Sequence, residues 1–176
     1  MHNGYFADYF VGPGVKTRFD RNLAPAIDAR NHVAGIPGSG DVYSVFTHTT
    51  DVAKFIPHLL SSSDKWERES NVIGQRMTLN QLVSKLEKAK GTRFDVTYDS
   101  VEKLESGQIT ELPCHNAAYG YFPKKDLQEM FASFGLMFER GVFEVDPAYA
   151  LNKKFPDVHA RSVDELIVEG GRAASD

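Results

Sequence analysis

Six histidines and one cysteine supply most of the acid–base and nucleophilic chemistry available to this chain near neutral pH. Phe46-Thr47-His48-Thr49-Thr50-Asp51 reads as a strand end running into a helix. That junction sets His48 beside unpaired helix N–H groups and makes it a candidate general acid or base. Capping by Thr49 or Thr50, with Asp51 in the first turn, is the competing account of those hydroxyls and that carboxylate. A second group, Cys114-His115-Asn116 with Tyr119 and Tyr121, lies in an aromatic, glycine-containing stretch. Such a loop can line a pocket for a flat compound, with His115 and Tyr119 as acid–base groups and Tyr121 as a contact. Cys114 and His115 are adjacent and nothing orients them, so they do not read as a nucleophile–base pair.

Further candidate substrate contacts are His2, Asn3, Tyr5 and Tyr9 at the start of the chain, and Phe134 among Phe131, Met137 and Phe138. A frayed terminus competes for the first two. Core packing competes for the tyrosines, which share a helical face with Phe6, and for the phenylalanine cluster, which also suits a dimer face. The histidines lack metal-site spacing, and one cysteine permits neither an intrachain disulfide nor a cysteine-based zinc cluster. No metal is expected.

The elements that must position these residues follow from periodicity and punctuation. Phe6, Tyr9 and Phe10 predict a short helix over residues 4–10, stopped by Gly12-Pro13-Gly14. A short helix is expected near 22–29, and strands over 31–36, 41–46, 71–74 and 94–98. A helix beginning at Asp51 buries Val52, Phe55, Ile56 and Leu59, and Pro57 predicts a kink or early end. Thr78 caps the clearest helix, with Leu79, Leu82, Val83 and Leu86 on one face and Gly91 closing it. Shorter helices are expected over 100–104 and 162–167, and a longer one over 124–138 after Pro123.

At 176 residues, with 41% apolar and 25% charged residues, the chain has the size and composition of one soluble globular domain. A net charge of −4 with interspersed signs gives no field for nucleic acid. No apolar run approaches a membrane span and no signal peptide is evident, so no membrane partner and a cytoplasmic location are expected.

Three stretches give the chain a family likeness. Asn3-Gly4-Tyr5-Phe6-Ala7-Asp8-Tyr9-Phe10, the segment from Phe46 to Phe55 containing Asp51-Val52-Ala53, and Thr78-Leu79-Asn80-Gln81-Leu82 followed by Tyr98-Asp99-Ser100 resemble the carboxyl half of the NmrA-like/isoflavone-reductase-like group of short-chain reductases. The tail from Phe155-Pro156-Asp157-Val158 to Leu166 resembles the usual ending. The resemblance implies an α/β fold: a truncated Rossmann-like protein lacking the nucleotide-binding half, with a small parallel or mixed sheet packed by helices. Residues 1–176 are then a single substrate-side domain. No G-x-G-x-x-G turn occurs, so no cofactor is expected.

The first expected function is a cofactor-independent isomerase, cyclase or dehydratase, in secondary metabolism by analogy with relatives, using His48, His115 or Tyr119. The alternatives are a non-catalytic NmrA-like regulatory or binding protein, and a reductase fragment completed in trans by an NAD(P)-binding partner. The expected partners are a small-molecule ligand and, since the missing half would leave apolar surface bare, a second copy or another protein.

Overall fold

The computed structural model describes residues 1–12, 14–17 and 23–172. Among the described residues six strands run over β1 Tyr5–Phe6, β2 Ile27–Asp28, β3 Val33–Pro37, β4 Ser44–Thr47, β5 Gln75–Met77 and β6 Asp95–Asp99. The α-helices are α1 Thr49–Ser61, α2 Leu79–Lys90, α3 Val101–Glu105, α4 Lys124–Glu139, α5 Leu151–Lys154 and α6 Val163–Arg172. The chain forms two compact units, one of residues 1–18, 44–77 and 143–176, the other of 19–43 and 78–142.

The first unit holds a sheet of order β1-β4-β5. β1 and β4 run parallel, with Tyr5 opposite Phe46, and β5 is antiparallel to β4, with Met77 opposite Ser44. All four residues of β4 are buried, as in a strand covered on both faces. Phe55 and Leu59 from α1 pack with Val72 and Leu151, the inward stripe that the 3.6-residue period requires. Pro57 does not end α1. It and Ala53, the residue one turn earlier whose carbonyl loses a partner, both face solvent, so water can satisfy that carbonyl. The predicted helix over 4–10 is instead β1 followed by a 3-10 turn at Ala7–Tyr9. Pairing with β4 outweighs the local spacing. Gly4, at φ +66°, has its Cα against the Val45 carbonyl, where no side chain fits. Gly12 and Gly170 touch backbone to backbone: a Cβ on Gly12 would stand 2.7 Å from the Gly170 carbonyl oxygen. Pro13, in the predicted stop, lies outside the described residues.

The second unit holds a sheet of order β2-β3-β6, with β2/β3 antiparallel and β3/β6 parallel from Val33–Asp95 to Pro37–Asp99. A parallel pair needs a crossover, and α2 supplies the helix for it. Thr78 and Gln81 form a reciprocal capping box, and Gly91 closes α2 in the left-handed conformation at φ +65°. Of the helix expected near 22–29, Asn22 lies outside the described residues and Ile27–Asp28 is strand. Asp28 is buried there and its carboxylate closes the following turn, accepting from the Asn31 backbone N–H at 3.0 Å and side-chain amide at 2.7 Å. Leu127 and Phe131 of α4 pack with Ala118 as the core beneath the 3-10 segment Pro113–Gly120.

The fold is thus two small mixed three-stranded sheets packed by helices, with no large continuous parallel sheet among the described residues. No helix among them is long and apolar enough to cross a membrane.

Candidate functional site

His48 lies where β4 hands the chain to α1, in extended conformation at φ −77° and ψ 139°. It is itself the N-cap. Its Nδ1 accepts from the Thr50 N–H at 3.2 Å, so the cap expected of Thr49 or Thr50 sits one residue earlier. Thr49 is otherwise engaged: its N–H and hydroxyl donate to Asp8 at 2.9 and 2.7 Å. Thr17 donates a third hydrogen bond to Asp8 at 2.7 Å. Asp8 is fully buried, a carboxylate held against the positive end of α1.

The other side of His48 faces Arg161. One guanidinium nitrogen lies 3.2 Å from His48 Nδ1 and donates to the Thr50 hydroxyl at 2.7 Å. Arg161 Nε and backbone N–H both reach Asp51 at 3.0 Å, and Nη1 pairs with Glu169 at 2.6 Å. Lys54 adds an ion pair to Asp51 at 2.6 Å. Burial by itself raises the Asp51 pKa, but the Arg161 and Lys54 hydrogen bonds outweigh it and hold the group below the ordinary carboxylate value. Burial pushes the His48 pKa down, against the pull of the Asp8 carboxylate. With Nδ1 accepting, the proton of the neutral ring sits on Nε2. Nε2 is 3.4 Å from Asp8 Oδ1, within ion-pair range, yet makes no hydrogen bond.

His115, in the second unit, is held differently. Its Nδ1 accepts from the Leu112 N–H at 3.2 Å, its Nε2 donates to the Ala24 carbonyl at 2.9 Å, and its ring lies 5.0 Å from that of Phe131. Burial lowers its pKa. Cys114 donates its backbone N–H to Asp28 at 2.9 Å, and burial, aided by the Asp28 charge, pushes its thiol up to about 12. Both nitrogens of His115 are spent on backbone, so neither is left for Cys114. The Tyr119 hydroxyl is buried, and burial and the Glu111 carboxylate beside it push it up to about 12.

Among the expected substrate contacts, Tyr5 is buried between Tyr9, Phe10, Phe46 and Phe143, which is core packing. Tyr9 is half-buried beside it. His2 exposes its side chain, but its backbone is pinned to Ser70 at 2.8 Å and Val72 at 2.9 Å. Asn3 is half-buried. Tyr121 is exposed, and Phe134 lines a cavity of about 10 Å³ with Pro25, Gly35, Phe131 and Gly135. That volume is at the lower bound for a single water and far below a small-molecule site. His48 therefore shares a unit with His2, Asn3, Tyr5 and Tyr9, whereas His115, Tyr119, Tyr121 and Phe134 belong to the other. No three His, Cys, Asp or Glu side chains among the described residues are grouped to hold a metal.

Sequence reasoning missed Asp8, Arg161 and Asp28. Asp8 carried a signal: a carboxylate amid Tyr5, Phe6, Tyr9 and Phe10 must be either exposed or paired, and its neighbours argue for burial. Arg161 carried none, since His48, Thr50 and Asp51, the partners that bring it to the site, are over 100 residues away.

A dinucleotide needs free N–H groups at a strand-to-helix turn. At each such turn described here a side chain has taken that place: Asp8 and His48 at α1, Thr78 at α2 and Ser100 at α3. These residues do not fit a pyrophosphate, and Asp8 would repel one.

No family model matches the chain. Oxidoreductase swnN of Arthroderma benhamiae is 28% identical over 189 residues, covering 95% of this chain and 59% of the relative. Oxidoreductase swnN of Metarhizium robertsii is 33% identical over 118 residues, 66% of this chain and 35% of the relative. Oxidoreductase BOA1 of Botryotinia fuckeliana is 30% identical, covering 89% and 48%. The chain spans about half the length of these relatives. Among solved structures, AtPrR2 with NADP+ and (+)pinoresinol superposes at TM-score 0.61 with 23% identity, over 94% of this chain and 50% of the other. An isoflavone reductase gives TM-score 0.59 at 21% identity, over 94% and 50%. These structural likenesses show the fold. The curated relatives are oxidoreductases, and the fold is shared with solved structures that include an isoflavone reductase.

Proposed function

We propose that residues 1–176 act as the substrate-side half of an NmrA-like oxidoreductase, completed by a nucleotide-binding half that these residues do not contain. The observation carrying this reading is the alignment of 95% of the chain with 59% of an oxidoreductase. The occupied helix N-termini agree with it: a half that leaves dinucleotide binding to another element has no need of open phosphate cradles. In this reading the chain is one domain contributing a surface for a small-molecule ligand. Tyr121, the most exposed of the candidates in its unit, is its first contact.

The cofactor-independent enzyme has less behind it. His48 and His115 are both fully buried, and the small cavity beside Phe134 is lined by neither. An acid–base catalyst must come within hydrogen-bond reach of a substrate proton.

The test is titration of the purified chain with NADPH by calorimetry, alone and after adding the amino-terminal part of the Arthroderma benhamiae relative, with light scattering alongside. We expect no binding to the chain alone, a complex with the added half, and NADPH binding once the complex forms. Micromolar binding to the chain alone, or no complex, would overturn the proposal.

A further inference from the structure

The charged cluster around His48 is larger than a helix cap requires. A cap needs one acceptor for one N–H. Here the acceptor Nδ1 also faces Arg161, a residue 113 positions later in sequence, at 3.2 Å. Arg161 in turn ties the start of the C-terminal segment to α1 through Asp51 and to α6 through Glu169. The arrangement depends on Nδ1 being an unprotonated acceptor. A proton on Nδ1 would face the Thr50 N–H and a guanidinium, two donors that cannot accept it. Only the Thr50 hydroxyl, 2.8 Å away, is an alternative partner, and it already receives Arg161.

The charged groups facing the ring come from three elements. Asp8 comes from the 3-10 turn after β1, Asp51 from α1, and Arg161 and Glu169 from the C-terminal segment. Asp8 is the only one on the Nε2 side of the ring in ion-pair range, at 3.4 Å, and three other hydrogen bonds already fill its oxygens. A protonated ring therefore gains an ion pair toward Asp8 while its opposite edge repels Arg161.

We infer that His48 is a proton-operated latch: protonation of Nδ1 displaces the Arg161 guanidinium nitrogen from His48 and Thr50 and weakens the hold of residues 161–171 on the N-terminus of α1. The neutral ring holds the segment down near pH 7, and acidification through the histidine range opens it. Asp51 stays ionised throughout that range, because its carboxyl is held below the usual value.

The experiment is hydrogen exchange by mass spectrometry on the whole chain at about pH 7.5 and about pH 5.5, with rates corrected for intrinsic pH dependence. The comparison variant is His48→Asn, whose side-chain oxygen caps the Thr50 N–H as Nδ1 does but takes up no proton. Protection of residues 161–171 should fall several-fold in the native chain on acidification and stay constant in the variant, with α2 unchanged in both. Equal loss in the two proteins, or no loss in the native chain, overturns the latch. If the variant does not fold, NMR of the native chain decides. The Arg161 Nε–H resonance must move with the His48 titration, and a His48 titration that leaves Arg161 still also overturns it.

Discussion

His48 and His115 are both fully buried and both have their basicity lowered by burial, yet they are built for opposite ends. His115 spends both nitrogens on backbone, the Leu112 N–H and the Ala24 carbonyl, and stacks near Phe131. It splices two segments of its unit as a neutral connector. His48 spends one nitrogen on a cap and on Arg161 and leaves the other without a hydrogen bond, amid four charged groups. The difference teaches that burial of a histidine says little until each ring nitrogen is accounted for. One ring is a fixed joint. The other sits between charges whose balance a proton can tip.

The comparison is broken most severely by removing the charge that His48 faces. Arg161→Ala strands Asp51 in the interior with Lys54 as its remaining ion-pair partner, and should cost about 3–5 kcal/mol in urea unfolding. His115→Ala leaves the buried Leu112 N–H unpaired and the Ala24 carbonyl with only the weak Cys114 thiol donor, and should cost about 2–3 kcal/mol in the same assay. Both histidines also bear on pH dependence. Their folded pKa values lie below the unfolded value of 6.5, so the unfolded chain binds more protons as pH falls. Their stabilisation is complete above 6.5 and declines as pH drops toward the folded values. Unfolding free energy should therefore be lower at about pH 5.5 than at about pH 7.5. A flat profile over that window would remove the property the two rings share, a basicity lowered by burial. Away from both rings, Thr78→Ala removes half of the α2 capping box and should cost about 1 kcal/mol. Tyr121→Ala, at an exposed position, should change stability by less than about 0.5 kcal/mol, so any loss of ligand binding there reads as lost contact.

What was legible in the sequence tracks how local each determinant is. α2 could be read almost to the residue, because its cap, its stripe from Leu79 to Leu86 and its closing glycine lie within one stretch. β6 and α4 were readable for the same reason, differing by a residue at their ends. β5 was not: Gln75-Arg76-Met77 has no strand pattern, and it is a strand because β4 offers it a backbone edge. β4 itself begins at Ser44, so Val42 and Tyr43, expected at its centre, precede it. The strand expected over 71–74 is reduced to isolated bridges at Asn71. α6 runs past its expected end at 167, through two glycines that would ordinarily close a helix. The candidate site follows the same rule. His48 stood out because a strand-to-helix junction is a local pattern, whereas the partners that define its chemistry, Asp8 and Arg161, are joined to it only by the fold.

Those two glycines in α6 have different fates. Gly170 lies against the backbone of Gly12, and any side chain on either would wedge the helix away from the start of the chain. Gly171 has open space around its Cα. In the interior of a helix a glycine costs about 1 kcal/mol relative to alanine. Position 171 is therefore free to drift toward residues that stiffen the helix, while position 170 is frozen by its neighbour. The chain carries, side by side, one site where a methyl group would meet nothing and one where the same methyl would stand 2.6 Å from the backbone of Gly12.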